Sequence, residues 1–143
     1  MKHLEKDRPL PEIIVSKSDH DRIFNLALIV EGSTPDVASV LLREMDRARV
    51  VKSVPAGIVQ MGSTIEFRTE GGPERRVTLV YPGEADITQN RVSILTPIGA
   101  ALIGLSVGQS IAWSARDGRQ QVLTVLTVEP PPATADVLQL QSL

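Results

Sequence analysis

The stretch Arg91-Val-Ser-Ile-Leu-Thr-Pro-Ile-Gly-Ala-Ala-Leu-Ile-Gly-Leu-Ser-Val-Gly-Gln-Ser-Ile-Ala-Trp113 decides the fold, because a strand, a short helix and a second strand follow one another within it. Val92 to Leu95 is an apolar run of strand length. Thr96 stands as an N-cap, with Pro97 at the first helical position, where its fixed φ and missing N–H cost nothing. Ile98, Leu102 and Leu105 recur at helical spacing, and Ala100 and Ala101 keep the segment slim enough to lie on a sheet. Gly104 is placed to end the helix in a left-handed conformation. Ser106-Val-Gly108 turns the chain, and Gln109 to Ala115 begins the next strand.

Working outward, the C-terminal side continues with Asp117-Gly118, a strong hairpin signal, and a partner strand from Gln121 to Val128. Pro130-Pro-Pro132 ends the fold, and the last eleven residues read as a tail. On the N-terminal side, Thr64-Ile-Glu-Phe-Arg-Thr69 alternates with Ile65 and Phe67 on one face. A turn over Glu70 to Glu74 leads to a strand from Arg76 to Tyr81, which Pro82-Gly83 breaks. Phe67 and Trp113 are expected in the core.

Before Lys52 the period is helical. Residues 1–12 read as a leader, and Ile13-Ile-Val15 is an edge strand or a packing segment. Ser18 is expected to cap a helix with Asp21 three residues on. Ile23, Leu26, Ala27 and Val30 form one face of it, and Phe24, Leu28 and Ile29 widen the apolar stripe. Glu31-Gly-Ser33 breaks this helix, and Thr34-Pro35 starts another with Val37, Leu41, Met45 and Ala48 on its face. Two amphipathic helices so closely joined run antiparallel, as a hairpin. Val54-Pro-Ala-Gly57 reads as a linker, so a charge at Leu41 is expected to disrupt the helices and spare the sheet. The expected divisions are 1–53, 54–130 and 131–143, and the class is α+β.

Composition narrows the function. The chain has 143 residues, 42% hydrophobic, no cysteine and a net charge of −2. Disulfides and thiolate metal sites are therefore excluded. Nothing in the charged N-terminus resembles a secretion signal, and no apolar run reaches the ~20 residues of a membrane span. Residues 1–53 hold nine Lys/Arg against nine Asp/Glu, and the remainder six against eight. Without a basic excess, and with only four aromatics, direct nucleic-acid binding is not expected. There is no cysteine nucleophile, no serine elbow and no phosphate-binding glycine loop, so no catalytic residue, metal ligand or cofactor is assigned. His20 between Asp19 and Asp21 is not read as a metal site, because adjacent helical residues point in different directions.

Three separated blocks carry a resemblance: Leu42-Arg-Glu-Met-Asp-Arg-Ala48, Thr78-Leu-Val-Tyr-Pro82, and Thr96-Pro-Ile-Gly-Ala-Ala-Leu-Ile-Gly-Leu-Ser-Val-Gly-Gln-Ser-Ile-Ala-Trp113. They resemble the Rnk-type regulators of nucleoside diphosphate kinase, short relatives of the GreA/GreB transcript-cleavage factors, over roughly residues 13–130. The resemblance implies an FKBP-like fold for residues 54–130 after a short helical hairpin. It also implies a non-enzymatic, monomeric cytoplasmic regulator of bacterial transcription whose partner is RNA polymerase. Such a protein docks near the secondary channel and competes with Gre-type factors without stimulating cleavage. Its effect on nucleoside diphosphate kinase levels then runs indirectly, through transcription.

By the same resemblance Thr96, Pro97 and Ile98 form the polymerase-facing loop, although Leu95 stands where the family often has a polar residue. A good helix start explains Thr96-Pro97 equally well. At the hairpin tip, Glu31 and Asp36 occupy the region where Gre factors carry acids that supply magnesium; ordinary capping chemistry also accounts for Asp36. The alternative activity is weak prolyl isomerisation by the FKBP-like half. Phe67, Tyr81 and Trp113 are few aromatics for such a pocket, and strand burial accounts for them.

Overall fold

The computed structural model describes residues 10–114 and 118–132. Asp117 of the expected hairpin turn, most of the leader and residues 133–143 lie outside the described residues. Strand β1 (Ile14–Ser16) leads directly into helix α1 (Lys17–Val30), followed by α2 (Pro35–Arg47) and β2 (Arg49–Val51). Then come β3 (Thr64–Thr69), β4 (Glu74–Val80), two 3₁₀ turns (Pro82–Glu84 and Ile87–Gln89), β5 (Arg91–Ser93), α3 (Pro97–Leu102), β6 (Ser110–Ser114) and β7 (Gln120–Glu129). The class is α+β.

Of the two readings of Ile13-Ile-Val15, the strand is observed. β1 pairs in parallel with β2, Ile14 opposite Arg49 and Ser16 opposite Val51. This moves the start of α1. Ser16, in extended backbone at the end of β1, is the N-cap, and its hydroxyl accepts from the Asp19 N–H at 3.1 Å. Ser18, the expected cap, is already helical. Asp19 thereby falls at the third helical position, where a carboxylate meets the helix dipole favourably.

Helix α2 begins at Pro35 as expected, but Thr34 makes no side-chain cap. Its hydroxyl turns back to the Val30 carbonyl at 3.3 Å. His20, near the start of α1, brings Nε2 to 3.2 Å from the Met45 carbonyl near the end of α2. The start of one helix thus lies beside the end of the other.

The main sheet has the order β5-β4-β3-β7-β6 and is antiparallel except for the β4–β5 pair. The central strand β3 buries Ile65 and Phe67 completely, as its alternation requires. Strand β5 stops at Ser93 rather than running to Leu95. The Ser93 hydroxyl accepts from the Leu95 N–H at 2.9 Å and its carbonyl from the Thr96 N–H at 3.1 Å, which closes a turn.

That turn feeds α3, whose Thr96 cap accepts from the Gly99 N–H at 3.1 Å. Residues Ile98 to Leu105 are all buried. Gly104 has φ +83°, and a Cβ there would stand 2.8 Å from the Ile13 Cβ. Only glycine allows both the left-handed turn and the approach of β1, whose Ile14 N–H donates to the Gly104 carbonyl at 3.1 Å.

One cluster of buried side chains joins Ile23, Ala27, Leu41 and Met45 of the helices to Val59, Phe67, Leu79, Leu102 and Leu123. The helices and the sheet therefore share one buried cluster, so the expectation for a charge at Leu41 becomes loss of both together. Trp113 also departs from expectation: on the edge strand β6 it is only half-buried. Its indole N–H is shielded from solvent yet lacks a hydrogen-bond partner among the described residues.

Candidate functional site

Asp19, Arg22 and Tyr81 come together where α1 meets the end of β4. Proline at position 82 ends β4 and leaves Tyr81 in extended backbone at the sheet's rim. The Tyr81 hydroxyl donates to Oδ1 of Asp19 at 3.2 Å, and the Met61 N–H donates to Oδ2 at 3.3 Å. Arg22, three residues beyond Asp19 on the same helical face, lays its guanidinium 3.7 Å from the centre of the Tyr81 ring.

Burial pushes the Tyr81 hydroxyl well above the usual phenol range, and the negative charge of Asp19 and the hydrogen bond to it add to the effect. Arg22 opposes the shift. The shift favours the neutral, protonated hydroxyl, the form that donates to Asp19.

Beside this cluster runs a groove of about 420 Å³ between α1 and the Tyr81–Gly83 turn. Arg22, Asn25, Leu26 and Ile29 line one wall and Tyr81, Pro82 and Gly83 the other. Tyr81 is its single aromatic lining, which is not the aromatic-walled cavity expected of an isomerase.

Thr96, Pro97, Ile98, Glu31 and Asp36, named from the resemblance, are not among the residues lining this groove. The Thr96 hydroxyl caps α3 and donates to the Ser93 carbonyl at 2.8 Å, while Pro97 is half-buried at the first helical position. Ile98 is buried in the core cluster, so its side chain holds the loop down rather than presenting a surface. Glu31 follows the end of α1 and Asp36 opens α2; both are exposed.

Around His20, Nδ1 lies 3.0 Å from the Asp21 carboxylate, which also takes the Lys17 ammonium at 2.9 Å. The His20 contact and then Lys17 hold the Asp21 carboxyl below its usual range. Asp19 is committed to Tyr81 and Met61, so the two acids beside His20 serve different partners. Among the described residues no group of three or more His, Asp or Glu is arranged to hold a metal ion.

Two features were missed in the sequence. The Asp19–Tyr81 contact spans 62 positions, and only the Asp19/Arg22 spacing on one helical face hinted at a shared site. Glu44 is 3% exposed and forms a two-pronged pair with Arg47 at 2.9 and 2.8 Å. Arg47 donates in addition to the Pro11 carbonyl at 2.6 Å. Glu44 sits three residues after Leu41 and one before Met45, so its place on the buried face was readable from spacing.

Residues 54–130 match the family model described as transcription elongation factor, GreA/GreB, C-term, and residues 11–51 match Rnk N-terminus. The chain belongs to the Rnk-type regulators of nucleoside diphosphate kinase, short relatives of the GreA/GreB factors. The Escherichia coli (strain K12) protein named regulator of nucleoside diphosphate kinase is 37% identical over 128 residues, covering 87% of this chain and 94% of that one. The transcription elongation factor GreA of Thermosipho melanesiensis is 29% identical over 84 residues, which span 57% of this chain and 54% of GreA. Among solved structures, a prokaryotic transcription elongation factor GreA/GreB from Nitrosomonas europaea superposes with a TM-score of 0.67 at 33% identity. That match covers 83% of this chain and 100% of the other. No helix among the described residues is long and apolar enough to cross a membrane.

Proposed function

We propose that this protein is a non-enzymatic transcription regulator that docks on RNA polymerase near its secondary channel and competes there with Gre-type factors without stimulating transcript cleavage. The observation that carries this reading is the length of the helices, 14 residues for α1 and 13 for α2. At about 1.5 Å per residue each reaches on the order of 20 Å. A magnesium ligand acts only within ~2.1 Å of the ion. Acids at Glu31 and Asp36, held near the channel entrance on so short a stub, contribute no coordination at the distant active centre. In this reading residues 1–53 supply the stub, and residues 54–130, on an FKBP-like scaffold, supply the docking domain. Thr96 and Pro97 face the polymerase with Ile98 anchored beneath them. The protein acts as a cytoplasmic monomer, and nucleoside diphosphate kinase levels change through transcription.

The test is binding to core RNA polymerase with and without excess GreA, alongside a cleavage assay on backtracked complexes. Occupancy should fall as GreA rises, and no cleavage should be stimulated. Pro97→Asp should lower occupancy, whereas the Glu31→Ala/Asp36→Ala double variant should not. Cleavage that is accelerated by the protein and lost in the double variant would refute the stub reading.

A further inference from the structure

Helix α1 carries more apolar surface than its packing uses. Ile29 is 79% exposed, and with Leu26, Tyr81 and Pro82 it gives the groove along α1 a largely hydrocarbon lining. Arg22 and Asn25 are the polar exceptions among the α1 residues lining it. The Arg22 guanidinium lies on the Tyr81 ring, and no carboxylate among the described residues comes within ion-pair distance of it. Asp19, one turn earlier, already accepts from Tyr81 and Met61. A guanidinium stacked on an aromatic face keeps its in-plane N–H groups available for a carboxylate.

We propose that this groove docks a segment of a partner protein that presents a large aliphatic side chain beside an aspartate or glutamate. The aliphatic group fills the space between Leu26, Ile29 and Pro82, and the carboxylate accepts from Arg22. One cation in an apolar trough suits a single carboxylate; a nucleic-acid backbone or an anionic membrane surface asks for several cations together. The groove is lined by none of Thr96, Pro97 and Ile98, so the proposal does not rest on the polymerase reading.

The test is selection of displayed random twelve-residue peptides on the full chain, followed by anisotropy titrations of the enriched sequences as synthetic peptides. Enriched sequences should place Asp or Glu within two residues of Leu, Ile or Phe. Changing that acid to its amide should weaken binding by about tenfold, and the difference should vanish against Arg22→Gln. Ile29→Asp should abolish binding with the thermal melt unchanged. Enriched sequences without an acid, or an acid/amide difference that survives in Arg22→Gln, would overturn the proposal. So would displacement of the peptides by a synthetic peptide of residues 133–143, which assigns the groove to the chain's own C-terminal sequence. A dimer that Ile29→Asp dissolves would assign it to a second copy, and equally overturn it.

Discussion

Helices α1 and α2 differ by one residue in length and pack on each other, yet they handle their apolar residues in opposite ways. Helix α2 gathers Ala38, Leu41 and Met45 on a buried face and leaves no large apolar side chain fully exposed. Helix α1 buries Ile23 and Ala27 but leaves Phe24, Leu28 and Ile29 exposed. Apolar count alone therefore misreads α1. Its wide stripe looks like a demand for a larger core, whereas the core is served by one narrow line and the rest is surface. Scattered exposed apolar residues are ordinary on a folded protein. Ile29 differs because it borders a groove whose Arg22 guanidinium has no carboxylate partner among the described residues.

The sharpest way to break this comparison is to put the same charge on both helices, and the buried one gives the largest effect. Leu41 is fully buried and shares one cluster with Phe67 and Leu102. Loss of a buried Leu side chain costs about 2–5 kcal/mol, and an unpaired buried ammonium adds to that. Leu41→Lys should therefore abolish the cooperative thermal transition, with helix and strand signals lost together by circular dichroism. A variant that keeps its strand signal would separate the helices from the sheet.

A smaller effect is expected at the junction of α1 with the sheet. Tyr81→Phe removes the hydroxyl that donates to Asp19 and should cost about 1 kcal/mol in denaturant melts near neutral pH. The Tyr81 hydroxyl is shifted upward in the folded state. Its contribution is thus fully present below the unfolded value of about 10 and is lost as pH rises from there toward the higher folded value. The parent protein should lose stability over that alkaline window faster than Tyr81→Phe does. Tyr81 is the only tyrosine, so its ionisation absorbance reports this group alone. Equal alkaline slopes in the two proteins would mean that neither burial nor Asp19 raises the hydroxyl's titration in the folded state.

Legibility in the sequence tracked the range of the interaction. The α3 region was readable because a cap, a proline and a left-handed glycine act within ten residues, at Thr96, Pro97 and Gly104. β3 was readable because Ile65 and Phe67 alternate on one buried face. The β1–β2 pairing was not readable: each strand has three residues, and the two lie on either side of both helices in the chain. That pairing also shifted the cap from Ser18 to Ser16. Trp113 looked like core because it is large and alternates correctly, but an edge strand leaves one flank open. Near the candidate site, the capping place of Thr96 and the first-turn place of Pro97 were readable, while the Asp19, Arg22 and Tyr81 cluster depends on contacts across 62 positions.

The smallest expected effect is the most informative about α1. Leu28 is exposed and lies in the last turn of a helix that carries no basic residue there. Leu28→Lys loses part of an apolar contact with its neighbours but places a cation against the negative end of the helix dipole, which is favourable by a few tenths of a kcal/mol. The two terms nearly cancel, and the melting free energy should change by no more than about 0.5 kcal/mol. The same Leu-to-Lys change would then be tolerated at position 28 and ruinous at position 41, although both leucines sit on neighbouring helices that differ by one residue in length. A large loss at position 28 would show that the outer face of α1 is packed in solution, either by this chain or by a second copy. Sedimentation across a range of concentrations decides between those two, because only the second copy makes the loss depend on concentration.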